Sequence, residues 1–94
     1  MNNSAKYTIR VTPSAEKDID KLKKHIQISD FHRIDNKVRL LASDPRLTGA
    51  RKIRTRAVEY RIRAGKFRVV YEVDDTNKLV LILHVARRSE TTYS

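Results

Sequence analysis

The feature of this sequence that most constrains its fold is a strand–turn–strand pattern over residues 60–73, YRIRAGKFRVVYEV. Apolar and charged residues alternate along it, and a period of two places successive side chains on opposite faces of a β-strand. Tyr60 and Ile62 are therefore predicted to share one face of the first strand. Arg61 and Arg63 are predicted to share the other face.

The second strand repeats the pattern after a turn predicted at Ala64-Gly65. Its apolar face comprises Phe67, Val69, Tyr71 and Val73. Arg68 joins the cationic face, and a two-residue loop at this turn places Arg68 directly opposite Arg61. Like charges in facing positions destabilise a sheet. An anion with several oxygen atoms, most commonly phosphate, offsets such repulsion, so the pattern favours nucleic acid as the ligand.

The distribution of charge supports a polyanionic ligand. The net charge is +10, but residues 1–45 are close to balance, with nine basic and six acidic side chains. Residues 46–68 contain a single acid, Glu59, and nine basic residues: Arg46, Arg51, Lys52, Arg54, Arg56, Arg61, Arg63, Lys66 and Arg68. Clustering of this kind is typical of proteins that bind polyanions. A solvated face kept for solubility is the alternative, but it requires no preference for arginine, and seven of the nine are arginine.

The composition excludes several chemistries. The chain has no cysteine, which excludes disulfides, thiol catalysis and cysteine-type zinc sites. The histidines, His25, His32 and His84, are scattered along the chain, so neither a metal site nor a cofactor is predicted. His84 has the acid–base chemistry of a catalytic group, but its apolar strand predicts a hydrogen-bonded core histidine instead.

Length and hydropathy predict one domain in the cytoplasm. The 94 residues are expected to form a single domain over 1–94. Residues 1–6 contain no apolar run, which predicts that there is no signal peptide. No apolar stretch approaches the roughly 20 residues that span a bilayer, so no contact with a membrane is predicted.

The N-terminal third of the sequence predicts a strand followed by a helix. Residues 6–11 alternate between apolar and polar, which indicates a strand. Thr12 and Pro13 are typical of an N-cap and a first helical residue. The apolar stripe of the helix that follows comprises Ala15, Ile19, Leu22 and Ile26. Its spacing predicts an amphipathic helix of about 13 residues.

A second helix is predicted from Ser29-Asp30 to Asp44-Pro45, where the residue before proline disfavours helical backbone. Its apolar stripe comprises Phe31, Ile34, Val38 and Leu41. After a turn at residues 74–77, residues 79–85 are apolar on both faces, which predicts a central strand. The predicted fold class is therefore α+β. An N-terminal strand and a helical hairpin pack on a small, twisted, antiparallel-rich sheet, and the arginines lie on its open face.

The order of elements and several motifs resemble the RelE/ParE superfamily of bacterial toxins. The matching stretches are residues 14–22, 41–45, 52–53, 60–73, and 85–88 with Tyr93. Residues 60–73 are the specific part of this resemblance, because they are very close to the superfamily's most recognisable stretch. The resemblance covers almost the whole chain, from about Tyr7 to Tyr93.

Resemblance to the RelE branch implies an mRNA interferase, which is a metal-independent endoribonuclease that cuts messages in the ribosomal A site. The RNA's own 2′-hydroxyl attacks the adjacent phosphate, which yields a 2′,3′-cyclic phosphate and a 5′-hydroxyl. The catalytic positions implied for this chain are Arg61, Arg63, Arg68, Arg88 and Tyr93. Further cations expected to contact RNA or the ribosome are Arg51, Lys52, Arg54, Arg56, Lys66 and Arg87.

Two departures from the family pattern bear on the mechanism. Some members have lysines at the positions of Arg61 and Arg63, and arginine is a poor general base because its pKa lies above about 12. Base chemistry therefore rests on another group, or the transition state is stabilised mainly by electrostatics. Many relatives have histidine at the position of Arg87, so the assignment of the last-strand arginine stays open between Arg87 and Arg88.

The resemblance also implies partners and leaves two other functions open. The expected partners are the 70S ribosome, mRNA and a small cognate antitoxin. The antitoxin is expected to be acidic because it meets a +10 surface, and its flexible C-terminal segment is expected to fold on binding. The alternatives are a ParE-like inhibitor that contacts DNA gyrase without catalysis and a non-toxic RNA-binding module. The cationic quartet Arg61, Arg63, Arg68 and Arg88 favours the ribonuclease.

Overall fold

The computed structural model describes residues 6–46, 50–52 and 59–87, with residues 51 and 52 described at the backbone only. The elements in chain order are β1 (Thr8–Val11), α1 (Pro13–Lys23), α2 (Ile28–Ser43), β2 (Arg51–Lys52), β3 (Glu59–Ala64), β4 (Phe67–Asp74) and β5 (Leu79–Arg87). The strands form one sheet in the order β1-β5-β4-β3-β2. β1 runs parallel to β5, and the other neighbours are antiparallel. The predicted α+β fold class is confirmed.

Helix α1 starts where the sequence predicts and ends earlier. The Thr12 hydroxyl accepts a hydrogen bond from the backbone N–H of Ala15 at 3.3 Å, and Pro13 is the first helical residue. The helix spans 11 residues and ends at Lys23. Ile26, predicted as part of its stripe, lies in the connection to α2 and still packs against the core.

Helix α2 begins at Ile28, one residue before the predicted start, and ends at Ser43. Ile34 and Leu41 of its predicted stripe are buried, and Phe31 and Val38 are half-buried. Asp44 adopts extended backbone before Pro45, as expected for a residue that precedes proline. The helix therefore ends for the predicted reason.

The hairpin of β3 and β4 corrects the predicted register. The loop residues are Gly65 and Lys66, so Ala64 pairs with Phe67 instead of forming part of the turn. Gly65 has a φ of 64°, and two-residue hairpin turns of type II′ favour glycine at this first central position. Arg68 consequently faces Arg63, and the predicted Arg61–Arg68 pair is wrong.

The hydrophobic core lies between the helices and one face of the sheet, here called the helix face. The buried cluster combines Ala15, Ile34 and Leu41 of the helices with apolar residues of three strands. The strand residues are Ile62, Ala64, Phe67, Val69, Tyr71, Val73, Val80, Ile82 and Val85. The opposite side of the sheet is called the open face. Strand β5 has β1 on one side and β4 on the other, so it is an interior strand as predicted.

A cluster that we call the Arg46 clasp fastens four parts of the fold. The Arg46 guanidinium donates to both carboxylate oxygens of Asp75 at 2.9 and 3.3 Å and to the Tyr60 hydroxyl at 3.0 Å. The Tyr7 hydroxyl donates to Asp75 at 2.6 Å. Below the clasp, Tyr60 stacks on Tyr71, as predicted for packing residues. These contacts join the end of α2 to β3, to the β4–β5 turn and to the residue before β1.

Candidate functional site: a cationic sheet face

The open face carries three rows of residues that cross β3, β4 and β5. Residues that face each other across neighbouring strands share a face of the sheet, so register defines the rows. In the order β3, β4, β5 the rows are Arg63, Arg68 and Ala86; then Arg61, Val70 and His84; then Glu59, Glu72 and Leu81. Charge is therefore segregated along the strands, with cations toward the hairpin turn and carboxylates away from it.

The arginine cluster, defined as Arg61, Arg63 and Arg68, occupies the first two rows. Arg63 is exposed, and Arg61 and Arg68 are half-buried. No acid stands opposite a member of the cluster among the described strand pairs, because the facing residues are Val70, Ala86 or another arginine. Two arginines in facing positions repel each other. Arg68 faces an arginine, but that residue is Arg63 and not the predicted Arg61.

The remaining predicted cations divide by position. Lys66 is exposed at the hairpin turn, next to the cluster. Arg87 faces Phe67, so it lies on the helix face, and its guanidinium carbon stands 5.5 Å from the centre of the Phe67 ring. Arg51 is in register with Arg61, and Lys52 with Tyr60. The side chains of Arg51 and Lys52, and the whole of Arg54, Arg56, Arg88 and Tyr93, lie outside the described residues.

His84 is not the core histidine that the apolar strand predicts. Opposite β4 the pairing passes from Tyr71–Ile82 to Val70–His84, so β5 contains a bulge at Leu83 and His84. Because of the bulge, Leu83 and His84 together stand opposite a single residue of β4, Val70, and His84 lies on the open face. The His84 side chain is 38% exposed, and its Nδ1 lies 3.3 Å from Asp18 Oδ2. The hydrogen bond was predicted, but the position was not.

Asp18 is a site residue that the sequence did not reveal. It lies on α1, and the same oxygen that contacts His84 accepts a hydrogen bond from the backbone N–H of Val85 at 3.0 Å. β1 pairs with β5 only as far as Ile82, so the carboxylate takes the place of a strand partner at Val85. A contact between residues 66 positions apart leaves no local signal in the sequence.

No group of three or more metal-binding side chains occurs among the residues that the structure describes. Within the same residues, no helix is long and apolar enough to cross a membrane. The fold and its surface define a class: a small α+β protein with a helical hairpin on one face of a mixed sheet and a cluster of arginines on the other.

Comparison with known proteins gives the family. The model of the ParE toxin of the type II toxin–antitoxin system parDE matches residues 9–92. Toxin RelG of Mycobacterium tuberculosis is 31% identical over 86 residues, which is 89% of this chain and 93% of RelG. The chain therefore belongs to the RelE/ParE superfamily of type II toxins and is RelE-like.

Solved structures agree on the fold. The toxin–antitoxin complex RelBE2 of M. tuberculosis contains a chain that is 31% identical, with a TM-score of 0.61, over 87% of this chain and 98% of that one. The archaeal RelE–RelB complex of Pyrococcus horikoshii contains one that is 21% identical, with a TM-score of 0.73, over 92% of this chain and 99% of that one. At this lower identity the likeness concerns the fold alone.

Proposed function

We propose that this RelE-like toxin is an endoribonuclease that cleaves mRNA in the A site of the 70S ribosome, in the cytoplasm. The observation that carries the proposal is the arginine cluster. Arg63 faces Arg68 directly, and Arg61 lies two residues before Arg63 on the same strand and face. Placing like charges opposite each other is by itself unfavourable in a sheet. The gain is in binding an anion, because planar guanidinium groups match phosphate oxygens in pairs.

In the proposed reaction the message supplies its own nucleophile. The 2′-oxygen attacks the adjacent phosphorus, the bond to the 5′-oxygen breaks, and the products are a 2′,3′-cyclic phosphate and a 5′-hydroxyl. Negative charge grows on the phosphate oxygens in the transition state. Charge-assisted hydrogen bonds from the arginine cluster strengthen as that charge grows, which lowers the barrier. Arg88 and Tyr93 remain predicted members of the catalytic set.

The toxin's proposed protein partner is an acidic antitoxin. The relatives from M. tuberculosis and P. horikoshii were solved as toxin–antitoxin and RelE–RelB complexes. A chain of net charge +10 attracts an acidic segment, and covering the arginine cluster would silence the proposed activity. Co-expression of the gene beside the toxin gene is expected to restore growth. Undiminished toxicity would contradict this partner.

The ParE family model favours a second candidate. In that case the toxin inhibits DNA gyrase through protein contact and does not cut RNA. The arginine cluster favours the ribonuclease, because binding a protein surface does not require three facing or adjacent arginines on one face of a sheet. The two candidates predict different targets and can be tested in parallel.

The deciding experiment incubates the purified toxin with translating ribosomes and maps message ends by primer extension. We expect new ends within the codon that occupies the A site and none when naked mRNA replaces the ribosome complex. A supercoiling assay with purified gyrase forms the second arm. Gyrase inhibition without message cleavage would establish the ParE-like candidate instead. Binding of RNA without cleavage, inhibition or growth arrest would indicate an RNA-binding module.

A further inference from the structure

The arginine cluster leaves one chemical role of the proposed reaction unfilled. Attack by the 2′-hydroxyl requires a group that accepts its proton, and arginine stays protonated at every physiological pH. Imidazole is the side chain best suited to take up a proton near neutral pH. Of the histidines, His25 lies in the connection after α1, His32 lies on α2, and His84 lies on the open face beside the arginine cluster.

Register places His84 against the cluster. It shares a row with Arg61, with Val70 between them, and its diagonal neighbour on β4 is Arg68, which faces Ala86 two residues further along β5. Strands lie about 4.8 Å apart, so the row from Arg61 to His84 spans roughly 10 Å at the backbone. Val70, the residue between them, is buried, so a phosphodiester would lie above Val70 and be contacted by the long side chains on either side. The β-bulge creates this position, and bulges commonly re-aim side chains near active sites.

Asp18 orients the ring. An ionised carboxylate only accepts hydrogen bonds, so the 3.3 Å contact with Asp18 Oδ2 places the hydrogen of the neutral imidazole on Nδ1. The lone pair is then on Nε2. Asp18 is itself held by the hydrogen bond from the backbone N–H of Val85 at 3.0 Å. A carboxylate fixed in this way selects the tautomer and holds the ring in one orientation.

We propose that His84 is a catalytic residue that accepts the 2′-hydroxyl proton on Nε2, and that Asp18 is its positioning residue. This inference rests on the proposed ribonuclease function. The 2′-oxygen forms its bond to phosphorus as the proton moves to Nε2, and the bond from phosphorus to the 5′-oxygen breaks. The leaving 5′-oxygen takes a proton from water, and the imidazolium then returns its proton to solvent. No oxidant, metal or further reactant enters the balance.

Other titratable and charged groups face this part of β5. Asp18 approaches from α1, Arg68 and Glu72 stand on β4, and Arg10 of β1 faces Leu81. Glu72 is the competing base, together with Glu59 opposite it, but both are one row further from the Arg63–Arg68 pair than His84 is. Replacing His84 and Glu72 one at a time therefore separates the two assignments.

The test compares single-turnover cleavage on programmed ribosomes by the wild type, His84→Ala, Asp18→Asn and Glu72→Gln. His84→Ala is expected to lower the rate by roughly 10²–10⁴-fold while melting temperature and ribosome binding are kept. Added imidazole is expected to restore part of the rate. The matched control, His25→Ala at an exposed position, should cleave at the wild-type rate, as should Glu72→Gln.

Conservative variants separate positioning from structure. Asp18→Asn keeps an oxygen for the Val85 N–H but removes the charge that orients the imidazole, so the rate should fall by a smaller factor than in His84→Ala while melting temperature and ribosome binding are kept. Asp18→Glu, which retains a carboxylate, is expected to recover part of that rate. A wild-type rate in Asp18→Asn, or a loss of rate that is explained by a lowered melting temperature, would overturn the positioning role.

The two proposals fail in different ways. If the wild type does not cleave messages, the ribonuclease function is wrong, and this inference falls with it. If the wild type cleaves and His84→Ala cleaves equally fast, only the assignment of His84 is wrong. Loss of cleavage in Glu72→Gln with normal cleavage by His84→Ala would transfer the role to the carboxylate.

Discussion

Arg46 and the arginine cluster have opposite electrostatic surroundings. In the Arg46 clasp a single guanidinium contacts Asp75 and Tyr60 through three hydrogen bonds. In the arginine cluster, Arg63 faces Arg68, and the third member, Arg61, faces Val70 on the same sheet face. Both sets come from the same basic stretch of sequence, residues 46–68. Composition alone therefore cannot show which cations join distant parts of the fold and which gather on one face of the sheet.

The difference lies in which residues the fold brings opposite each arginine. In the clasp, Arg46 donates to Asp75 and to the Tyr60 hydroxyl, and the Tyr7 hydroxyl donates to the same Asp75. The hydrogen bond with Asp75 is the main reason that the pKa of Arg46 is raised. In the cluster, the register of β3 and β4 places Arg63 opposite Arg68, with Arg61 on the same face. We infer that the clasp is structural and that the cluster is functional, and each prediction below tests one side of that contrast.

The largest expected effect is on the functional side. Arg68→Ala removes a cation that gains strength in the proposed transition state, which costs on the order of 3 kcal/mol, or roughly a hundredfold in rate. Melting temperature should stay unchanged or rise, because the repulsion with Arg63 is relieved. Matched cleavage rates and melting curves check this. Full cleavage by the variant would exclude Arg68 from the site, and a collapsed melting temperature would make it a structural residue.

The structural side is tested by Arg46→Ala. The variant loses the hydrogen bonds to Asp75 and Tyr60, and we expect the melting temperature to fall by roughly 5 °C, a moderate loss because the ion pair is 45% and 56% exposed. Cleavage per folded molecule should not change. Arg39→Ala is the matched control, since Arg39 makes only an exposed pair with Asp35 on α2. A stable variant with lost cleavage would move Arg46 into the functional set.

A third variant replaces the facing arginine pair of the cluster with an ion pair. Arg63→Glu places opposite charges across the hairpin, and facing ion pairs contribute about 0.2–1 kcal/mol, so the variant should melt a few degrees higher than the wild type. Cleavage should be lost. Arg63→Gln is the control that removes repulsion without adding a pair, and its melting temperature should lie between the two. A lower melting temperature for Arg63→Glu would show that the two residues do not face each other in solution.

The smallest expected effect is on the melting temperature at acidic pH. The hydrogen bond from Arg46, followed by that from Tyr7, lowers the pKa of Asp75 below its ordinary value of 3.8. A lowered folded-state pKa gives a contribution to stability that is present above pH 4 and is lost as the pH falls through the folded value. Melting temperature between about pH 5 and pH 2 should therefore decline more steeply for the wild type than for Asp75→Asn. Arg46→Ala should flatten the decline as well, and equal slopes in all three proteins would contradict the clasp.

Much of this architecture follows from local patterns in the chain. Thr12-Pro13 set the start of α1 because the hydroxyl caps a backbone N–H and proline suits the first helical turn. Asp44-Pro45 ended α2 for an equally local reason. The alternation in residues 60–73 placed the arginines on one face and the core residues on the other. The resemblance to a toxin family rested on the same stretch, and the family comparison confirms it.

Local patterns did not predict the contacts that depend on the exact register of two strands or on one inserted residue. The turn at residues 64–66 allows two loops of equal length, and only the positive φ of Gly65 selects Gly65-Lys66. That choice moves Arg68 from Arg61 to Arg63. The bulge at Leu83 is a second such case. It turns His84 from an expected core position to the open face, and a run of apolar residues carries no sign of where a bulge falls.

The elements, their faces and the excess of positive charge follow from the chain's local patterns, because helix caps, alternation and clustered charge involve only a few neighbouring residues. The pairing of residues that are distant in the chain depended on the tertiary structure. The Arg46 guanidinium and Asp75 are 29 residues apart, and Asp18 and His84 are 66 apart. Such pairs form when packing of the helices on the sheet brings distant segments within hydrogen-bond distance. Charge and hydrogen bonding act over a few ångströms in space, whatever the separation along the chain.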